Sequence, residues 1–144
     1  MEDKELTLDL ARQTRDSVSA LARRMRQERP AHGLGLTSAS VLSRLDRVGA
    51  LSPKELAAAE GVLPQSLTRQ LASLEEHGLI TRRPHDRDGR QVLMEITDAG
   101  RHLVESDRQR RDAWLAQAIT KRLTPVEREI LGAANKLLDL LSET

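Results

Sequence analysis

Apolar residues recur every three or four positions over most of the chain, a spacing that predicts amphipathic helices. The first predicted helix runs from Leu6 to about Glu28, and we expect Pro30 and the glycines after it to end the helix. Thr37 is then expected to cap a short helix whose apolar positions end at Leu45. The N-terminal third of the chain is therefore predicted to be helical.

Two further helices are predicted from their end signals. Ser52-Pro53-Lys54-Glu55 combines a Ser cap, a proline in the first turn and a glutamate three residues after the cap, which together satisfy free backbone amides. Gly61 is expected to close this helix, and Pro64 to begin another that ends before Gly78. The sequence thus predicts two short helices joined by a tight turn.

The hydrophobic period changes after Gly78, which indicates strands. Residues 79–83 and 91–97 are the two predicted strands, and residues 84–90 form a charged loop that contains a glycine. The second strand alternates between polar and apolar positions, with apolar residues at Val92, Met94 and Ile96. A β-hairpin is therefore predicted directly after the pair of short helices.

Two more helices complete the predicted chain. One runs from Asp98 to about Arg122, and its largely polar middle, residues 105–112, suggests that it bridges two parts of the molecule. Thr124-Pro125-Val126-Glu127 repeats the capping signature, and an apolar stripe continues from there to Leu141. The predicted fold class is mostly α with a small β-hairpin.

Composition narrows the range of functions. The chain has 144 residues, which suits a single folding unit, and its one aromatic residue is Trp114. Cysteine is absent, which excludes disulfides, thiolate zinc sites, cysteine nucleophiles and thiol-based redox sensing. No nucleophile elbow, phosphate loop or metal-ligand spacing is present, so we expect neither an enzyme nor a bound metal or other cofactor.

The termini and the charge balance give weaker indications. The acidic start and the lack of a long apolar segment predict a cytoplasmic protein that is not in the membrane. The formal net charge is only +1, so any attraction to nucleic acid must come from local segregation of charge. The segment from Arg82 to Arg90 has four arginines against two aspartates, which makes it the favoured basic region.

The order of helix, helix, tight turn, helix and hairpin is that of a winged helix-turn-helix. The segment from Leu71 to Arg82 (Leu-x-Ser-Leu-Glu-x-x-Gly-Leu-Ile-x-Arg), the Asp88-Gly89-Arg90 tip and Ile96-Thr97 resemble the signature of the MarR family. That resemblance extends over the whole chain in the order of its helices. It implies a transcription regulator, typically a repressor, that binds a pseudo-palindromic DNA operator as a homodimer and is released by a small-molecule effector.

The resemblance also divides the single domain, residues 1–144, into regions. Residues 1–35 and 98–144 are expected to form the helical dimerisation region, and residues 36–97 the winged helix-turn-helix lobe that binds double-stranded DNA. Arg90 is expected to enter the minor groove, with Asp88 as a bidentate partner that orients its guanidinium. The expected DNA-binding residues are Ser38, Pro64, Gln65, Ser66, Thr68, Arg69, Arg82, Arg87, Asp88, Gly89 and Arg90.

Alternatives stay open at this point. The polar face of the second short helix and the loop arginines could be ordinary solvated surface. Because that helix has only one cation, Arg69, a helical protein-interaction module that kept the fold is the second functional hypothesis. Trp114 could line an effector pocket, although a single Trp on an apolar stripe more often lies in a core or a dimer contact.

Overall fold

The computed structural model describes residues 2–28 and 33–143. The elements in chain order are α1 (Glu2–Arg26), α2 (Leu36–Val48), α3 (Pro53–Glu60), α4 (Pro64–Glu76), β1 (Ile80–Pro84), β2 (Val92–Ile96), α5 (Asp98–Arg122) and α6 (Pro125–Ser142). The predicted fold class, helices with one β-hairpin, is therefore confirmed. Within these described ranges, no helix is both long enough and apolar enough to cross a membrane.

The predicted helix ends are largely confirmed by the observed caps. Ser52 and Thr124 each accept a hydrogen bond from the amide three residues later, and the glutamates there complete both capping boxes. The amide of Thr124 donates to the carboxylate of Glu127 at 2.7 Å, and this bond lowers the pKa of Glu127. Gly61 has a φ of 68°, the left-handed conformation that closes α3.

Two predicted helix starts are wrong. The first helix begins at Glu2, four residues before the predicted Leu6, because the acidic residues before Leu6 suit a helix N-terminus. The cap of α2 is Gly35 and not Thr37, because the extended backbone of Gly35 already lets its carbonyl accept from Ala39. Pro30, predicted to end the first helix, lies outside the described residues.

One hydrophobic core joins α2, α3, α4, the hairpin and the start of α5. Its centre is formed by leucines from the three short helices, including Leu42, Leu56 and Leu67, each at most 1% exposed. Ala57 is 1% exposed, and this small side chain allows α3 and α4 to approach each other. Ile80, Met94 and Ile96 add the inner face of the hairpin to the same core.

The hairpin is antiparallel, and one residue outside it pairs with β2. Its register pairs Ile80 with Ile96 at the base and Pro84 with Val92 near the tip. Leu51 pairs with Met94 through two backbone hydrogen bonds of 3.1 and 2.8 Å, which anchors the hairpin to the segment between α2 and α3. The predicted alternation fails at the tip, where Val92 is 37% exposed and Leu93 is 8% exposed.

The start of α5 packs closely on the start of β1. The Thr97 hydroxyl donates to the Gly78 carbonyl at 2.6 Å and accepts from the amide of Gly100 at 3.1 Å. A Cβ atom on Gly100 would overlap the carbonyl oxygen of Leu79 and lie 2.6 Å from Ile96 Cγ1. Only glycine leaves room for this contact, which ties the hairpin to α5.

The chain forms two compact units, and the continuous helix α5 belongs to both. One unit contains α2 to β2 and α5 up to Arg108, and the other contains α1, α6 and α5 from Gln109. In the second unit, the Arg24 guanidinium lies 4.4 Å from the centroid of the Trp114 ring. Trp114 is therefore in contact with α1.

We predict that Gly100→Ala destabilises the protein, because the added methyl group overlaps backbone atoms that cannot move independently. The expected loss is about 1–3 kcal/mol in the free energy of unfolding, measured by urea denaturation at fixed protein concentration. Gly132→Ala is the matched control, since no atom lies within 4 Å of a Cβ there and alanine favours the helix. Equal stability of the two variants would contradict the prediction.

Candidate nucleic-acid interface

The helix α4 has one buried face and one exposed polar face. Leu67, Leu71 and Leu74 are 0%, 3% and 0% exposed, and this spacing places them on one side of the helix. The predicted contact residues of the first two turns are all exposed: Pro64, Gln65, Ser66, Thr68 and Arg69. Gln65 and Arg69, four residues apart, lie opposite the leucines and point away from the core. The outward face offers an amide and a guanidinium.

The beginning of α4 is free of negative charge. Its cap residue is Leu63, which gives no side-chain hydrogen bond, and its first turn contains no acidic residue. The Thr68 hydroxyl makes a 3.4 Å hydrogen bond to the Pro64 carbonyl, a weak bond within the helix. This end of α4 therefore combines the positive end of the helix dipole with side chains that can donate and accept.

The hairpin loop holds the second group of predicted contact residues. Arg87, Asp88, Gly89 and Arg90 are all exposed and lie in the loop between β1 and β2. Asp88 was expected to form a bidentate pair with the Arg90 guanidinium. Its Oδ1 instead accepts from the Arg90 backbone amide at 3.1 Å, because the tight loop places that amide two residues from the carboxylate. The Arg90 side chain is thus not held by Asp88.

Two predicted contact residues lie in different surroundings from the rest. Ser38 is 7% exposed within α2, so the structure does not bring it to the surface with the others. Arg82 extends from β1 to α4, where its Nε lies 3.0 and 2.9 Å from the two carboxylate oxygens of Glu75. Arg82 is half-exposed, and its ion pair connects β1 to the end of α4.

Internal ion pairs occupy several acidic side chains of this lobe. Arg82 is occupied by Glu75, and Arg83 is occupied by both Asp86 and Glu95. Two further pairs, Arg44 with Glu60 and Arg108 with Asp46, occupy acidic groups of α2 and α3. The structure describes all of the predicted contact residues. Three of their arginines, Arg69, Arg87 and Arg90, have no carboxylate within 4 Å. In the favoured segment from Arg82 to Arg90, two arginines are therefore paired with carboxylates and two are not.

Sequence reasoning missed three residues that shape this surface. Glu75 is the partner of Arg82, Leu51 anchors the hairpin, and His85 accepts two backbone hydrogen bonds in the hairpin loop. The first two depend on contacts between distant segments, which a local pattern does not reveal. The position of His85 directly after Pro84 was a signal, since a polar side chain that starts a turn often caps it.

Comparison with known proteins identifies the family of this lobe. The model of the MarR family matches residues 34–92, which include α2, α3, α4 and β1. An HTH-type transcriptional regulator of Mycobacterium bovis is 40% identical over 129 residues, or 89% of this chain and 90% of that protein. The multiple antibiotic resistance protein MarR of Salmonella typhimurium is 36% identical over 63% of each chain.

Solved structures extend the similarity to the whole chain. A Pseudomonas aeruginosa protein described as a transcriptional regulator superposes with a TM-score of 0.87 at 33% identity, over 97% of both chains. Wild-type MarR of Escherichia coli in its apo form superposes with a TM-score of 0.71 at 26% identity, over 90% of this chain and 96% of that one. These proteins are regulators of transcription and not enzymes. This chain belongs to the MarR family of winged helix-turn-helix transcriptional regulators.

Proposed function

We propose that this protein is a repressor that binds a pseudo-palindromic operator as a homodimer in the cytoplasm. The observation that carries the proposal is the location of Arg69, Arg87 and Arg90, three arginines free of ion pairs in one compact unit. They lie on the exposed face of α4 and on the tip of the wing, the two elements with which a winged helix-turn-helix contacts DNA.

The two elements have different proposed tasks. Gln65 and Arg69 face outward from α4 and carry the groups that read base edges in the major groove, a guanidinium for guanine and an amide for adenine. Ser66 and Thr68 supply hydroxyls for phosphates or bases. Arg87 and Arg90 project from the loop toward the adjacent minor groove or backbone, where a guanidinium is attracted by the negative potential.

Ser38 and Arg82 take smaller parts in this proposal. Ser38 exposes too little surface for a substantial contact, so we leave it out of the proposed contact set. Arg82 retains a half-exposed side chain, but the bifurcated bond from its Nε to the Glu75 carboxylate makes it first of all a connection between β1 and α4. Asp88 and Gly89 are proposed to shape the loop that presents Arg90.

A second copy of this chain is the proposed partner of the terminal helices. Large apolar side chains on α6 are 61–65% exposed: Val126, Ile130, Leu137, Leu140 and Leu141. On α1 the corresponding side chains are 43–72% exposed: Leu6, Leu8, Leu10, Val18 and Leu21. Burial of exposed apolar side chains of this kind is typical of obligate homodimers, whose interfaces commonly exceed ~2,000 Å².

A small-molecule effector that releases the DNA is part of the proposal, supported by the family alone. Two recognition helices on one face of DNA must be about 34 Å apart to engage successive major grooves. A ligand that favours another spacing of the two lobes therefore weakens DNA binding by shifting the population of conformations. No described residue identifies the chemical class of such a ligand.

We predict that Arg90→Ala weakens binding to all DNA sequences to a similar extent, because a minor-groove or phosphate contact has little sequence preference. The slope of log affinity against log salt concentration should decrease by about one unit, measured by fluorescence anisotropy on selected and random duplexes. Arg122→Ala is the control, since Arg122 is exposed at the end of α5 and outside the wing. A loss confined to the selected duplex would contradict this role of Arg90.

We predict that Arg69→Ala and Gln65→Ala change the sequence preference instead. Each good bidentate contact with a base is worth about 1–3 kcal/mol of discrimination, so the penalty for one base substitution in each half-site should disappear in the variant. Affinities for a panel of singly substituted operators measure this effect. A uniform weakening across the panel would assign these side chains to the backbone and not to bases.

We predict that Ile130→Glu converts the dimer to monomers, because it places a carboxylate in the proposed apolar interface. Light scattering coupled to size-exclusion chromatography measures the mass. Asn135→Glu adds the same group on the opposite side of α6 and should leave the dimer intact. A dimer that persists in Ile130→Glu would place the interface elsewhere. If the protein bound another protein specifically and did not bind DNA, the alternative function of a protein-interaction module would be favoured.

A further inference from the structure

His85 organises the tip of the wing. It is the first residue after β1, and its side chain is partly buried. Its ring nitrogen Nδ1 lies 3.1 Å from the amide nitrogen of Arg87 and 3.2 Å from that of Asp88. Its own amide donates to the carbonyl of Gln91 at 2.9 Å, across the base of the loop. The imidazole therefore lies inside the turn that presents the wing arginines.

These contacts fix the protonation state of the imidazole. A backbone N–H can only donate, so Nδ1 must accept with its lone pair, and the ring proton must be on Nε2. A doubly protonated imidazole has no acceptor and would place a third N–H against two others. The observed loop conformation is thus compatible only with neutral His85.

The same loop conformation determines where Arg87 and Arg90 lie. The Asp88 carbonyl accepts from the Gln91 amide at 2.9 Å, and the Asp88 side chain accepts from the Arg90 amide at 3.1 Å. The backbone amides of Arg87, Asp88, Arg90 and Gln91 therefore each donate a hydrogen bond within the loop. Loss of the two bonds to His85 would release the N-terminal half of this turn.

The charged groups closest to His85 along the chain belong to the hairpin itself. Arg83 of β1 is paired with Asp86 at 3.3 Å and with Glu95 of β2 at 3.2 Å. In the loop, Asp88 is bound to a backbone amide, and the side chains of Arg87 and Arg90 are exposed. Across the described residues, no carboxylate lies within 4 Å of the imidazole to stabilise its charged form.

Protonation of His85 would have two opposite effects on DNA binding. The added positive charge attracts phosphates, whereas the loss of the acceptor disorders the turn that places the arginines. We expect the second effect to dominate, because a disordered tip no longer holds Arg87 and Arg90 in position to contact DNA. The loss of these two contacts then outweighs the gain of one positive charge on His85. Histidine commonly changes its charge between about pH 5 and 8, so the balance is testable in that range.

We propose that His85 is a positioning residue for the wing and that only its neutral form holds the tip ready for DNA, so that acidification weakens binding. This inference rests on the proposed role of the wing arginines. It assigns to the wing a sensitivity to protons in addition to any control by a small molecule.

The test compares wild type, His85→Asn and His85→Ala in DNA-binding assays from pH 8 to pH 5.5 at constant ionic strength. Asparagine retains an acceptor oxygen in a similar place and does not titrate in this range. The DNA affinity of wild type should fall about tenfold on acidification, which corresponds to the loss of one to two hydrogen bonds. His85→Asn should keep the affinity of wild type at pH 8 and change little with pH, and His85→Ala should bind weakly throughout.

The other histidines are present in all three proteins, so their contribution cancels in the comparison. Equal or tighter binding of wild type at pH 5.5, or the same pH profile in His85→Asn, would overturn the inference. NMR provides a measurement without DNA, in which the amide signals of Arg87 and Asp88 should shift between pH 8 and pH 5.5 in wild type and remain unchanged in His85→Asn. Absence of DNA binding at every pH would refute the proposed function, whereas binding at pH 8 with amide signals insensitive to pH would refute the role of His85.

Discussion

The burial of one leucine stripe on α4 is the constraint on which the rest of the structure depends. Leu67, Leu71 and Leu74 pack against α2, α3 and β1, and this contact fixes the rotation of α4 about its own axis. Truncation of one such leucine typically costs about 2–5 kcal/mol, so the orientation is strongly held. The same rotation turns Gln65 and Arg69 outward. The orientation of the proposed DNA-reading surface is therefore set by the hydrophobic core beneath it.

Ion pairs within the lobe determine which arginine side chains remain available to contact DNA. The lobe contains acidic groups on α2, α3, α4 and β2, yet most of them face a nearby arginine or a backbone amide. Exposed pairs of this kind add little to stability, but they neutralise carboxylates next to a surface that must approach phosphates. The arginines of this lobe that have no carboxylate partner include Arg69 on α4 and Arg87 and Arg90 at the tip of the hairpin. A chain with a formal net charge of +1 can therefore still present a basic face.

The sequence predicted the helices well because their end signals are local. The capping boxes at Ser52 and Thr124 and the left-handed Gly61 act within one turn, so spacing alone revealed them. The wing tip was predicted less well, since the choice of Asp88 between the amide and the guanidinium of Arg90 depends on the loop conformation. Ser38 illustrates the same limit, because its burial follows from packing around α2 and not from its own residue type.

The most direct test of DNA recognition by this protein is selection of genomic fragments by the purified dimer at about 150 mM salt, followed by sequencing. We expect enrichment of a pseudo-palindrome whose half-sites are centred about one helical turn apart, 10–10.5 base pairs or a multiple of it. In a mixed dimer with one inactivated recognition helix, we expect the enriched sites to contain only one conserved half-site. No enrichment by a protein shown to be dimeric and free of ligand would contradict the account.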